Sequence, residues 1–249
     1  MKDVCRATFA ESLRLKRTLA LRLATIAPLL IVFIVFGAYL QRGSAGPNPL
    51  VGFAQLNLTL WTILVLPLYT ALLAALLAGI EHQTDNWKHL LALPLDRRAI
   101  FAAKWAAGVG LLLVSSLILA IGISLAAEVL RHVKPGFQDG GRPIRMVATR
   151  AIQTFCATGL MLSIQLWVSL RWRTFIGGLS VAVAAVVTML TLVPRGAMLV
   201  ANLFPWSLAA TAMAPNSPHR GLAIAWGAIG GIVLGAFACV DLARHEFQP

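Results

Sequence analysis

Five histidines, three cysteines and five lysines could do chemistry in this sequence, and their spacing withholds most of it. His82, His89, His132, His219 and His245 are scattered through polar segments, with neither metal-site spacing nor the H-E-x-x-H pair of a membrane protease, so each reads as solvated surface. No lysine follows a glycine, which removes the phosphate loop G-x-x-x-x-G-K-[ST] and nucleotide binding by that route. Cys5, Cys156 and Cys239 lie in the N-terminal tail or inside apolar runs, and read as small packing residues rather than disulfide partners. No catalytic, metal-binding or cofactor-binding set emerges. An embedded enzyme is not the expectation.

One segment is organised, from Glu81 to Lys104. Thr84 or Asp85 can cap a short helix over Asn86–Leu93, and Pro94 ends it. Trp87, Leu90 and Leu91 give that helix an apolar side, with Lys88 and His89 on a basic one. Asp96 then caps a second helix, with Arg97 and Arg98 in its first turn. Two readings of the stub stay open: a passive interfacial helix, or a rigid element that docks into a groove of a soluble partner and receives force from it. Glu81 and Lys104 sit at matching depths and are a candidate ion pair, with simple snorkelling as the alternative.

The elements that must position this segment are membrane spans. Apolar residues make up 59% of the 249 positions and charged residues 12%, too few charges for a water-soluble domain, where about 25% is ordinary. Uncharged stretches run Leu23–Leu40, Val51–Ile80, Trp105–Ala127, Ala151–Leu170, Thr174–Val193 and Gly221–Val240. Each approaches or exceeds the ~18–20 residues that cross the hydrocarbon as a helix, and lipid allows no open strands. The fold class is therefore all-α integral membrane, a single transmembrane domain over 1–249 with six spans at about 23–40, 53–80, 101–127, 149–170, 174–193 and 221–241. Gly196–Pro218 is also free of Lys, Arg, Asp and Glu, but Asn202, Pro205, Pro215, Asn216 and Pro218 interrupt it. It reads as a broken pair of re-entrant or interfacial helices, with a seventh span as the alternative and Trp206 at the interface.

None of the uncharged stretches holds an ionisable side chain, which argues against an ion-driven carrier. The basic tail of Lys2, Arg6, Arg14, Lys16, Arg17 and Arg22, with Lys88, Arg97, Arg98 and Lys104, places both termini inside. The loop 128–150, with Arg131, Lys134, Arg142, Arg145 and Arg150, runs against that rule. A net charge of +12 in such a chain reports interfacial anchors and anionic lipid, not nucleic acid. The basic region and 18-residue apolar run at the N-terminus are too long for a signal peptide and read as an uncleaved first span.

The order Glu81, Trp87-Lys88, Leu90-Leu91, Pro94-Leu95, Arg97-Arg98 and Lys104 resembles the permeases of type-2 ATP-binding-cassette transporters, closest to the small permeases of lantibiotic self-immunity and bacitracin resistance. The stretch Phe9, Glu11, Leu13, Arg14, Lys16 and Arg17 is similar to that family's amphipathic elbow helix over residues 1–22, with Pro28 near the start of the first span. The resemblance implies an exporter subunit without an ATPase site, paired with a second permease of the same or another chain and with a cytoplasmic ATP-binding-cassette ATPase dimer. Glu81, Asp85, Trp87, Lys88, Leu90, Leu91, Pro94, Arg97 and Arg98 would couple the two. ATP and magnesium would bind in that partner and no cofactor in this chain. The implied substrate is an amphiphile such as a lantibiotic, and the setting a bacterial cytoplasmic membrane. A non-transporting scaffold, receptor or assembly factor is the rival, and it leaves the Trp-Lys-Leu-Leu-Pro stub unexplained.

Overall fold

The computed structural model describes Thr8, Glu11, Leu15 and residues 18–41, 48–82, 97–137, 141–172, 175–192, 203–214 and 217–244. Helix α1 spans Leu19–Gln41. Helix α2, Pro49–Leu60, continues through a π-helical turn at Trp61–Val65 into α3, Leu66–His82. Helix α4 spans Arg97–Val133 and is followed by a short 3-10 turn at Pro135–Phe137. Then come α5 (Ile144–Arg171), α6 (Phe175–Leu192), the short α7 (Leu208–Met213) and α8 (Arg220–Arg244). Among the described residues there is no strand.

Among the described residues five helices are long and apolar enough to cross a membrane: Leu19–Gln41, Pro49–Gly79, Arg98–Val133, Ile144–Arg171 and Arg220–Ala243. A sixth apolar stretch, Gly177–Thr191, is shorter. The protein is a multi-pass membrane protein, because lipid satisfies no backbone group and each apolar run must close its own hydrogen bonds. Large apolar side chains confirm the environment from the other direction, since Phe33 is 74% and Val233 63% exposed on the outside of the bundle.

The π turn has a local cause. Pro67 has no N–H to continue the helical ladder, and just before it the Leu66 N–H reaches back five residues to the Trp61 carbonyl. The third long helix differs from expectation: α4 runs on to Val133 instead of giving way to a loop at 128. Glu128 explains the extension, since it meets Arg131 at 3.5 Å one turn on and Arg142 at 3.1 Å across the connection. The connection is therefore short, and Arg145 and Arg150 stand on α5.

Helix α5 is the hub, packing on α3, α4, α7 and most closely on α8. Gly227, Gly231 and Gly235 recur every four residues on α8 and let the backbones meet. A Cβ added at Gly231 would lie 2.5 Å from the Gly159 carbonyl carbon, and one at Gly235 would lie 2.6 Å from Trp105 Nε1. Polar side chains inside the bundle find nearby backbone: Ser116 and Thr158 donate to carbonyls four residues back, and Tyr69 donates to the Leu111 carbonyl on α4 at 3.2 Å. Trp206 is not an interfacial anchor. It is 5% exposed, stacked at 5.5 Å beside Phe204, because α7 folds back against α5 and α8 and carries the preceding turn inward.

Candidate coupling site at the base of the helices

Helix α3 ends at His82 and α4 begins at Arg97, so both strands of the Glu81–Lys104 hairpin have their roots at one end of the bundle. Two turns into α4, Lys104 points inward rather than snorkelling, with 1% of its side chain exposed. Its ammonium donates to Glu11 Oε1 at 3.0 Å and to the Leu77 carbonyl of α3 at 3.5 Å. Three separate parts of the sequence are tied at one point: the N-terminal segment, α3 and α4.

A small apolar cluster backs this contact. Ala78 from α3, Phe101 from α4, Leu170 from α5 and Leu242 from α8 are buried together, with Trp167 and Cys239 against them. Beside it, Asp241 accepts hydrogen bonds from Trp167 Nε1 at 2.9 Å and Arg171 Nη1 at 2.8 Å, and the Arg171 guanidinium lies 5.9 Å from the Trp167 ring centroid. This fastens the end of α5 to the end of α8. Further in, Trp105 donates to Ser163 at 2.8 Å and Ser163 donates to the Gly231 carbonyl at 2.7 Å, joining α4, α5 and α8.

Of the residues singled out in sequence, Arg98 is exposed in the first turn of α4 and Glu11 is buried against Lys104. Glu81 and Arg97 close α3 and open α4, and their side chains fall outside the described residues, as do Asp85, Trp87, Lys88, Leu90, Leu91 and Pro94. Phe9, Leu13, Arg14, Lys16 and Arg17 fall outside them too. The Glu81 half of the candidate Glu81–Lys104 pair lies outside the described residues, and the described partner of Lys104 is Glu11, 93 residues away. The Asp241–Arg171–Trp167 cluster was missed altogether. Its signal was a lone acid near the end of the last span and a Trp-x-x-x-Arg spacing that puts both side chains on one helical face.

Among the described residues no group of three or more His, Cys, Asp and Glu side chains is placed to hold a metal ion. What the arrangement can do is mechanical: a displacement at the hairpin root reaches α3, α4 and the N-terminal segment through Lys104, and α5 and α8 through the apolar cluster. The sequence pattern of the ABC-2 family transporter proteins matches residues 9–191, which contain the N-terminal segment, the hairpin and the first helix after α5. The chain belongs to that family. It is a transmembrane transporter subunit, and membership implies association with an ATP-binding-cassette ATPase; permeases of this family usually carry no ATPase site of their own. No curated protein and no solved structure gives a significant match to the permease.

Proposed function

We propose that the permease is the transmembrane half of an ATP-driven exporter. It works with a second permease of the same or another chain and with an ATPase dimer whose closure on ATP and magnesium pushes the stub helix at 85–93. The observation that carries this reading is the buried Glu11–Lys104 contact at the root of the segment 83–96. A push on that segment meets a rigid junction instead of a loose loop, because Lys104 is held from the N-terminal elbow and from α3 at once. In this reading α6 is the sixth span, both termini are cytoplasmic, and the membrane is the bacterial cytoplasmic one. The substrate is an amphiphile, with a lantibiotic or similar antimicrobial peptide as the first to try in a self-immunity or resistance assay.

Trp87 and Leu91 are four residues apart and would enter a groove of the ATPase as a pair. Truncating such an anchor costs ~2 kcal/mol or more, roughly thirtyfold in affinity. Trp87→Ala with Leu91→Ala is expected to leave insertion intact, and to abolish both co-purification of the ATPase and substrate-stimulated hydrolysis, while the chain alone hydrolyses no ATP. A double variant that still binds its ATPase and transports normally removes the coupling role. Robust hydrolysis by the lone chain removes the subunit reading itself.

A further inference from the structure

The opposite end of the bundle holds a feature that coupling does not use. A cavity of about 620 Å³ opens there, within the range of small-ligand sites. Arg142, Arg145, Arg150 and Arg220 all line it, and among the described residues its lining contains no carboxylate. Four guanidinium groups around one space make a strongly positive field, and Arg150 and Arg220 stand close enough to repel one another. Both are fixed by backbone: Arg150 Nη1 donates to the Ala212 carbonyl at 3.4 Å, and Arg220 Nη2 to the Ala214 carbonyl at 2.7 Å. Glu128, the nearest acid on view, is shared between Arg131 and Arg142.

The backbone adds to the same field. Asn48 and Pro143 line the cavity and are the N-caps of α2 and α5, and Arg220 is the first residue of α8, so three helix N-termini converge on it. None of the three has an acidic residue in its first turn, and neither cap residue makes a side-chain capping bond. Each terminus carries partial positive charge and N–H groups that the helix itself leaves unmatched. Arginine from several elements with converging N–H groups is the donor set that recognises phosphate.

We infer that this pocket binds a phosphate-bearing anion, supplied either by an anionic lipid headgroup at the membrane surface or by a soluble phosphate. The test takes the full chain in a non-ionic detergent and follows its thermal unfolding midpoint while phosphatidylglycerol, phosphatidylcholine or inorganic phosphate is titrated. Phosphatidylglycerol is expected to raise the midpoint saturably, and phosphatidylcholine not to. Arg145→Gln and the double variant Arg150→Gln, Arg220→Gln should each need at least about tenfold more for half the shift, the loss expected when a charge-assisted hydrogen bond goes. Arg131→Gln, on the same surface but outside the pocket, should behave as wild type. A shift with phosphatidylglycerol alone assigns the lipid headgroup. The same variant-sensitive shift with inorganic phosphate assigns a soluble phosphate. No shift with either, or a shift that pocket variants and Arg131→Gln change alike, overturns the inference. Should the double variant fail to fold, the exposed Arg145→Gln decides alone.

Discussion

Breaking the Lys104–Glu11 contact should be among the most damaging single changes available to this protein. At 3.0 Å, with an effective dielectric constant of about 20, the attraction is of order 5 kcal/mol, and much of it offsets the cost of taking both charges out of water. The pair as a whole therefore adds little, but removing one partner is costly: Lys104→Met leaves a buried carboxylate 8% exposed without the ammonium beside it, and Glu11→Gln removes the charge 3.0 Å from an ammonium 1% exposed. Lys104→Met is expected to lose about 3–5 kcal/mol, and the double variant Glu11→Gln, Lys104→Met less than the sum of the two single effects, with a coupling of at least about 2 kcal/mol. Reversible unfolding of the purified chain in mixed micelles, titrated with dodecyl sulfate and followed by tryptophan fluorescence, gives the four free energies of the cycle. Additivity of the two single effects to within ~0.5 kcal/mol would refute the argument, because residues that do not interact add.

The glycine ladder makes a contrasting pair: Gly231→Ala must force α8 from α5 and should cost about 1–3 kcal/mol in the same assay, while Gly110→Ala has nothing within 4 Å and should be neutral or gain up to ~1 kcal/mol. For orientation, single cysteines in a background lacking Cys5, Cys156 and Cys239 should react only from the cytoplasmic side at positions 88 and 98 and only from outside at 46; external labelling at 88 inverts the topology proposed here.

The helices were legible because their cause is local. A run such as Val51–Ile80 carries no charge, and in lipid that dictates both its conformation and its environment. The extension of α4 was not legible from hydropathy, since it rests on Glu128 meeting Arg142 across a turn. Trp206 misled for a similar reason: beside proline in an uncharged stretch it has the signature of an interfacial ring, and only the packing of α7 on α5 buries it. At the site, Lys104 and Glu11 were each visible as residues of interest, but a pairing across 93 positions depends on where the N-terminal segment docks, and no periodicity encodes that. The four-residue glycine spacing of α8 is plain in the sequence, yet it does not say which helix it faces.

The π turn at Trp61–Val65 makes this stretch a phase shifter within one continuous rod. Each α-helical residue advances the chain by about 100° and 1.5 Å, so deleting one residue from α2 beyond Phe53 would scarcely shorten the rod but would turn everything on one side of it by more than a quarter of a circle. Phe53, fully buried with its ring edge-on to Tyr39 at 5.3 Å, would be carried off its partner, while Leu73 and Leu77 beyond the turn kept theirs. The two halves of this membrane helix are thus indexed to different neighbours, and one residue lost within Trp61–Val65 would return that turn to α-helix with both halves still in place.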